Sequence, residues 1–294
     1  MILCASISHS LCDGIGASQF LNAWAQLTKN PNSNLTITPS HDRRILKNRE
    51  PPQVNFLHPV YIRNPTNPNP KQSLLRLFLS KPLVTTSFTF GVDEINCLKK
   101  QCTTSSFNKI TTFEVVIAHM WRSFVKSGDL PLSQSLKLSF TFNFRKKMKL
   151  PEGYYGNGIV LVCAESTVKD LVSANNLDHC VKLVQQAKDS VDEEYVRSTI
   201  DVLKDKTVIP DHSLALVISQ VRHLGLEDVD FGVGKPLHLS DPLDGKPFCT
   251  ILPVIGDPKT VRVCISLPET MEVKFQHYMR EIENWDRYEY KMPI

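Results

Sequence analysis

Hydrophobic positions at the start of the chain form an unbroken run and then become periodic. Residues 2–8 read as a short buried strand, and Ala17, Phe20, Leu21, Trp24 and Leu27 recur at helical spacing directly after it. The opening unit is therefore strand, turn, helix, with His9 to Gly14 in the turn. Between Asn30 and Pro70 the pattern dissolves. Prolines at 31, 39, 51, 52, 59, 65, 68 and 70 exclude a continuous helix or a central strand and predict a long crossing segment. Beyond it, Leu74–Leu79 and Thr85–Phe90 read as strands and Val92–Gln101 as a helix. Thr111-Thr112-Phe113-Glu114 is a capping box, in which hydroxyl and carboxylate satisfy orphan amides at a helix start. The helix it opens carries Phe113, Val116, Ile117, Met120, Trp121 and Phe124 on one face.

Strict alternation follows from Leu136 to Phe144, with Leu138, Phe140, Phe142 and Phe144 on one side and Lys137, Ser139, Thr141 and Asn143 on the other. A half-buried strand is predicted. Gly158–Cys163, Leu214–Val221, Phe248–Ile255 and Val261–Leu267 add strands, and Lys169–Ser190 and Glu269–Asn284 add helices. The mixture is α/β. No repeat recurs along the chain, which argues against a solenoid or propeller.

Composition narrows this only a little. The 294 residues suit one large domain or two. With 41% hydrophobic and 22% charged residues the chain is of the globular class, and it holds no run of apolar residues long enough for a membrane span. Its first residues lack the basic leader of a secretory signal. Eight cysteines, at 4, 12, 97, 102, 163, 180, 249 and 264, form no CxxC pair, as befits reduced thiols in a cytoplasmic protein. A net charge of +4 is too small for a nucleic-acid footprint. The one cluster, Arg145-Lys146-Lys147-Met148-Lys149, suits a single phosphorylated ligand, although a solvated surface explains the lysines as well.

The candidate chemistry centres on His9-Ser10-Leu11-Cys12-Asp13-Gly14, an imidazole in a turn between strand and helix. On local features alone the structural reading leads, with His9 as an ordinary core histidine and Asp13 as a helix cap. Neither Cys12 nor Ser10 is aligned with the ring by its spacing, which argues against a covalent nucleophile. No HExxH or paired CxxC occurs, so no metal site is predicted. Asp230-Phe231-Gly232 spells a kinase motif without its catalytic loop, and Gly232 to Lys235 fails the phosphate-loop spacing.

Four segments, in order, carry a resemblance. These are His9-x-x-x-Asp13-Gly14 continued through Ile15-Gly16-Ala17-Ser18-Gln19-Phe20-Leu21, then Thr111-Thr112-Phe113-Glu114-Val115, Gly153-Tyr154-Tyr155-Gly156-Asn157, and Asp230-Phe231-Gly232-Val233-Gly234-Lys235-Pro236. Together they resemble the BAHD acyl-CoA-dependent acyltransferases of plants, whose signatures are HxxxD and DFGWG. The resemblance implies a two-domain α/β architecture like chloramphenicol acetyltransferase. Residues 1–30 would be what is present of the first domain, 31–70 the crossing segment, and 71–294 the C-terminal domain. Family members carry a substantial segment before the HxxxD strand, so the resemblance also implies an incomplete first domain.

The implied reaction moves an acyl group from acyl-CoA, used as co-substrate with no resident cofactor, to the hydroxyl or amine of a small metabolite. His9 would be the general base and no acyl-enzyme would form. By the same resemblance Asp13 points away from substrate to organise the turn with Gly14, and Arg145 is its candidate partner. The segment Asp230 to Gly234 would support the fold, with Val233 where the family has tryptophan. The stretch around His9 is most similar to members that acylate hydroxyls, including hydroxycinnamoyl transfer to fatty alcohols or ω-hydroxy acids and acetyl transfer to terpenoid alcohols. A monomer is expected. The rival reading is a non-catalytic fragment or pseudoenzyme of the same family.

Overall fold

A computed structural model of the chain describes residues 2–63, 81–102, 110–173, 177–211, 215–240 and 248–283. Among them, α1 (Gly14–Lys29) follows the turn, and a short strand β1 (Tyr61–Arg63) ends the first stretch. Next come β2 (Leu83–Phe90), α2 (Val92–Lys100), α3 (Thr112–Ser127), β3 (Ser135–Asn143), β4 (Ile159–Thr167), α4 (Val168–Val172), α5 (Leu177–Asp189) and α6 (Glu193–Leu203). Strands β5 (Val208–Pro210), β6 (Ala215–Gln220), β7 (Phe248–Val254) and β8 (Asp257–Pro268) precede α7 (Glu269–Arg280). Six strands form one mixed sheet in the order β2-β8-β7-β6-β3-β4, and β1 pairs with β5 apart from it. The pairs β3–β6 and β6–β7 are parallel and the rest antiparallel.

The core forms where α3 lies against this sheet. Thr111 Oγ1 accepts from the Glu114 amide at 3.2 Å and the Glu114 carboxylate accepts from the Thr111 amide at 2.9 Å, so the helix starts where the capping box places it. Its interior residues are buried around nearly the whole circumference, with Val115 to Trp121 unbroken. Such a helix is stable only when other elements surround it. Phe113 meets Phe140 of β3 edge-on at 5.6 Å, and Trp121, Phe124 and Phe275 are fully enclosed. Rings of this size contribute roughly 2–3 kcal/mol each by leaving water.

Three expectations need correction. Residues 2–8 are not a buried strand: they are extended and exposed, Ile2 at 96%, because no described strand pairs with them, and apolar composition gives burial only where a partner supplies the other surface. The strand at Leu136–Phe144 is buried on both faces at its centre, Ser139 included, since β4 and β6 flank it and further chain covers the second face. The expected helix Lys169–Ser190 is divided between α4 and α5, with the backbone extended at Ser173. Leu74–Leu79 lies outside the described residues. Helix α6, capped by Asp192, and the β1–β5 pair were not foreseen. No helix among the described residues is long and apolar enough to cross a membrane.

Candidate active site

The turn that carries His9 is built from its own backbone and one carboxylate. Leu11 donates its amide to the Ser8 carbonyl at 2.9 Å, and the Ser8 and Ser10 hydroxyls meet at 2.9 Å. Asp13 then caps α1, its Oδ1 accepting from the amides of Ile15 and Gly16, both at 3.1 Å. A short acidic side chain in extended backbone is what a helix start needs, because its free amides otherwise lack acceptors. His9 itself is exposed.

Asp13 does more than cap. Arg145 donates to both of its oxygens, at 2.7 and 2.8 Å, and the Gly158 amide donates to Oδ2 at 2.9 Å. The carboxylate is 3% exposed as a residue and every contact it makes is a donor. Arg145 is equally occupied: it donates to the Gly156 carbonyl at 2.6 Å and to the Tyr154 carbonyl at 3.3 Å. A buried pair of charges survives only when its remaining hydrogen-bonding sites are filled like this. The β3–β4 hairpin supplies the geometry. Arg145 comes two residues after β3, Gly158 immediately before β4, and the Phe144 amide donates to the Gly158 carbonyl at 2.9 Å across the base. The approach is close enough to require glycine. A Cβ on Gly158 would come within 2.5 Å of Arg145 Nη1, and one on Gly16 within 2.0 Å of the Tyr155 carbonyl oxygen. Gly14 opens α1 against Leu224.

Two further groups brace the turn, neither assigned a role from sequence. Arg43, in the crossing segment, donates to the Leu11 carbonyl at 2.7 Å and stacks over Tyr155 at 5.1 Å. Asn157 donates from Nδ2 to the His9 carbonyl at 2.8 Å. The only sequence signal for Asn157 was its place in the Gly153–Asn157 motif. Nothing in the crossing segment singled out Arg43.

A family model described as the Transferase family matches residues 1–282. The chain belongs to the BAHD acyltransferase family. It is similar to the omega-hydroxypalmitate O-feruloyl transferase of Arabidopsis thaliana, 33% identical over 96% of this chain and 62% of that protein. It is also similar to the fatty alcohol:caffeoyl-CoA acyltransferase of Arabidopsis thaliana, 32% identical over 95% of this chain and 63% of the relative. The chain thus spans about 62% of the length of these relatives. Among solved structures, F. graminearum TRI101 complexed with coenzyme A and deoxynivalenol shares the fold, with a TM-score of 0.73 at 16% identity over 91% of this chain and 63% of that one. The α/β architecture is the two-domain, chloramphenicol-acetyltransferase-like one that the resemblance implied.

The second BAHD signature sits elsewhere on α1. Asp230 Oδ1 accepts from the amides of Gly232 and Gly234 at 2.8 and 2.9 Å, and Oδ2 meets Lys29 Nζ at 3.2 Å. The Gly232 amide first, then Lys29 and the Gly234 amide, hold the Asp230 carboxyl below its ordinary value. Phe231 meets Trp24 edge-on at 5.1 Å. Both glycines have left-handed backbone, φ 98° and 102°, which the turn demands and which glycine adopts without strain. Val233 points into solvent at 84% exposure. Lys29 and Trp24 lie in the second half of α1 and His9 precedes its start, so the two BAHD motifs are not brought together. At 1.5 Å per residue the helix separates Lys29 from Gly14 by roughly 20 Å.

Charge gathers at a third place. A cleft of about 540 Å³ lies at the N-terminus of α3 and is lined by Thr112, Lys99, Arg222, His223 and Lys259, among others. Arg222 Nε is buried without a partner among the described residues, and burial lowers the guanidinium from its ordinary value. Lys146, Lys147 and Lys149, the cluster noted in the sequence, are simply exposed.

Proposed function

We propose that this chain transfers an acyl group from an acyl-CoA thioester to the hydroxyl, or amine, of a small acceptor, with His9 as general base. The observation that carries the reading is the clamped turn. Five hydrogen bonds to Asp13 fix the start of α1 and leave the imidazole of His9 outside the clamp and open to a reactant. Asp13, Gly14 and Arg145 act as supports, and Asp230 to Gly234 supports the far half of α1. A thioester already holds an activated acyl carbon, so the protein has to orient the acceptor and accept its proton. The acceptor oxygen attacks the carbonyl as His9 takes its proton, and collapse of the tetrahedral oxyanion breaks the C–S bond. The departing thiolate then recovers a proton from the imidazolium.

Direct transfer is favoured over an acyl-enzyme. Burial, and next the charge of Asp13, push the Cys12 thiol up, so it stays protonated at neutral pH. The basic cleft at α3 supports binding of the donor's phosphates, since an incompletely partnered guanidinium beside a helix N-terminus favours anions. The names of the two Arabidopsis relatives support a long-chain hydroxyl acceptor. The absence of a disulfide among the eight cysteines supports a reducing, cytoplasmic setting. The working unit is taken as a monomer, which sedimentation of the chain tests.

The deciding experiment is His9→Ala, assayed with a panel of acyl-CoA donors against fatty alcohols, ω-hydroxy acids and amines. Turnover should fall at least about a hundredfold while coenzyme A binding is unchanged, because a general base acts on the transition state. Turnover close to that of the unmodified chain would overturn the assignment.

A further inference from the structure

We infer that Asn157 is a positioning residue for His9, and the inference rests on the general-base reading of that histidine. The Asn157 carboxamide makes one hydrogen bond among the described residues, from Nδ2 to the His9 carbonyl at 2.8 Å, while its Oδ1 is buried without a partner. The facing group is a carbonyl, so only the NH2 end of the amide can serve there. A buried acceptor without a partner is uncommon and calls for an explanation, and the bond from the same carboxamide to the His9 peptide is the one that offsets it here.

The need for such a tie follows from the rest of the turn. On its N-terminal side, residues 2–8 are extended, exposed and unpaired by any described strand, and Ser8 joins the turn through Ser10 and Leu11 without bonding the peptide of His9. On its C-terminal side the clamp acts at Asp13, four residues on, and Arg43 holds the Leu11 carbonyl. Among the described residues, Asn157 is the side chain that hydrogen-bonds the peptide of His9 itself. Its own position is fixed by its neighbours: the Gly156 carbonyl accepts from Arg145 and the Gly158 amide donates to Asp13. Three consecutive residues of the β3–β4 hairpin thus hold the Arg145 guanidinium, the His9 carbonyl and the Asp13 carboxylate. The register of the imidazole against the helix start is set by the hairpin. A general base must lie within hydrogen-bond reach of the proton it takes, so a displacement of about 1 Å is enough to lower the rate strongly.

Asn157→Ala, Asn157→Leu and Asn157→Asp in the full chain test this. All three should lower kcat by about tenfold or more and leave KM for donor and acceptor within about twofold, since a positioning residue acts through His9 and not on the ligands. Asn157→Asp keeps the shape and still fails, because an oxygen replaces the donor. Hydrogen exchange gives a readout without turnover: the Leu11 amide, which closes the turn, should exchange about tenfold faster in Asn157→Ala, while those of Ile15 and Gly16 keep their protection. In a His9→Ala background Asn157→Ala should add no further loss of rate. An unchanged Leu11 amide overturns the inference, and so does an unchanged kcat beside a large His9→Ala effect. A loss spread evenly over exchange at Leu11, Ile15 and Gly16 also overturns it, by showing a general structural role. If His9→Ala itself leaves turnover intact, the general-base reading is what fails, and the Leu11 amide alone then decides whether Asn157 holds the turn.

Discussion

Asp13 and Asp230 look alike as chemistry and differ as structure. Each collects two backbone amides close by in sequence and one cation from a distant segment. Asp13 is 2% exposed in its side chain and its arginine 11%, whereas Asp230 and Lys29 stand at 29% and 44%. Asp13 takes a planar, two-pronged donor and a third amide, that of Gly158; Asp230 takes a single ammonium at 3.2 Å. The first joins three segments of chain, the second closes its own loop onto one helix. Similar motif residues therefore do unequal amounts of structural work, and burial with bidentate geometry decides which matters more.

The largest effect should come from breaking the buried clamp on one side. Arg145→Gln leaves a buried carboxylate with its amides alone, and Asp13→Asn leaves a buried guanidinium; either should cost about 3–5 kcal/mol. For a chain of this size that lowers Tm by roughly 10 °C, read by calorimetry. A double-mutant cycle should return a coupling well above 1 kcal/mol, since the groups touch. Gly158→Ala is the sharper variant: its new Cβ would lie 2.6 Å from Arg145 Cζ, so the guanidinium has to leave Asp13 although neither charge is altered. It should reproduce most of the Arg145→Gln loss. Additive single effects, or a silent Gly158→Ala, would show that the clamp is no stronger than a surface pair.

The parts of this site that could be read from the sequence are those encoded locally. The Asp13 cap, the Thr111–Glu114 box and the strand β3 each depend on residues within a turn or two of one another, and each forms, although β3 is buried on both faces at its centre. Arg145 was reached through the family resemblance, which implies an arginine partner for Asp13, and not through a local pattern, since its bond spans 132 residues. Asn157 and Arg43 were reached by neither route, because their bonds to the turn span 148 and 32 residues and leave no periodic trace. The failure at residues 2–8 has the opposite cause, since the apolar pattern is real while its burial depends on a partner that no local pattern reports. Trp24 and Phe231 show an intermediate case. The helical spacing marked Trp24 as apolar, and the contact explains it, yet 46% of Trp24 remains exposed.

A smaller effect concerns Asp230 and pH. The Asp230 carboxyl is held below its ordinary value of 3.8, first by the Gly232 amide, then by Lys29 and the Gly234 amide. A lowered folded value means that its contribution is fully present above 3.8 and is lost as pH falls through the folded value. Amide protection at Gly232 and Gly234 should therefore be steady at neutral pH and should fade below the ordinary aspartate range, while the core strands stay protected. Asp230→Asn should remove that pH dependence and leave only a minor loss at neutral pH, because exposed pairs are screened. Protection that is flat down to global acid unfolding would show that the loop is held by other contacts.

The smallest effect should come from restoring the family's tryptophan with Val233→Trp. Val233 is 84% exposed in a loop whose aromatic contact is already made by Phe231 against Trp24, so an indole at 233 meets no cavity and displaces no water-filled gap. Substitutions at such positions stay within about 0.5 kcal/mol, which leaves Tm almost unmoved. The flanking glycines at φ 98° and 102° carry the turn whichever side chain lies between them, so the Asp230 hydrogen bonds should persist. Difference fluorescence against the native tryptophans should place the added indole in water. A Tm several degrees higher, or emission from an apolar setting, would mean that residue 233 turns inward in solution. The loop would then share the buried character that here belongs to the Asp13 clamp.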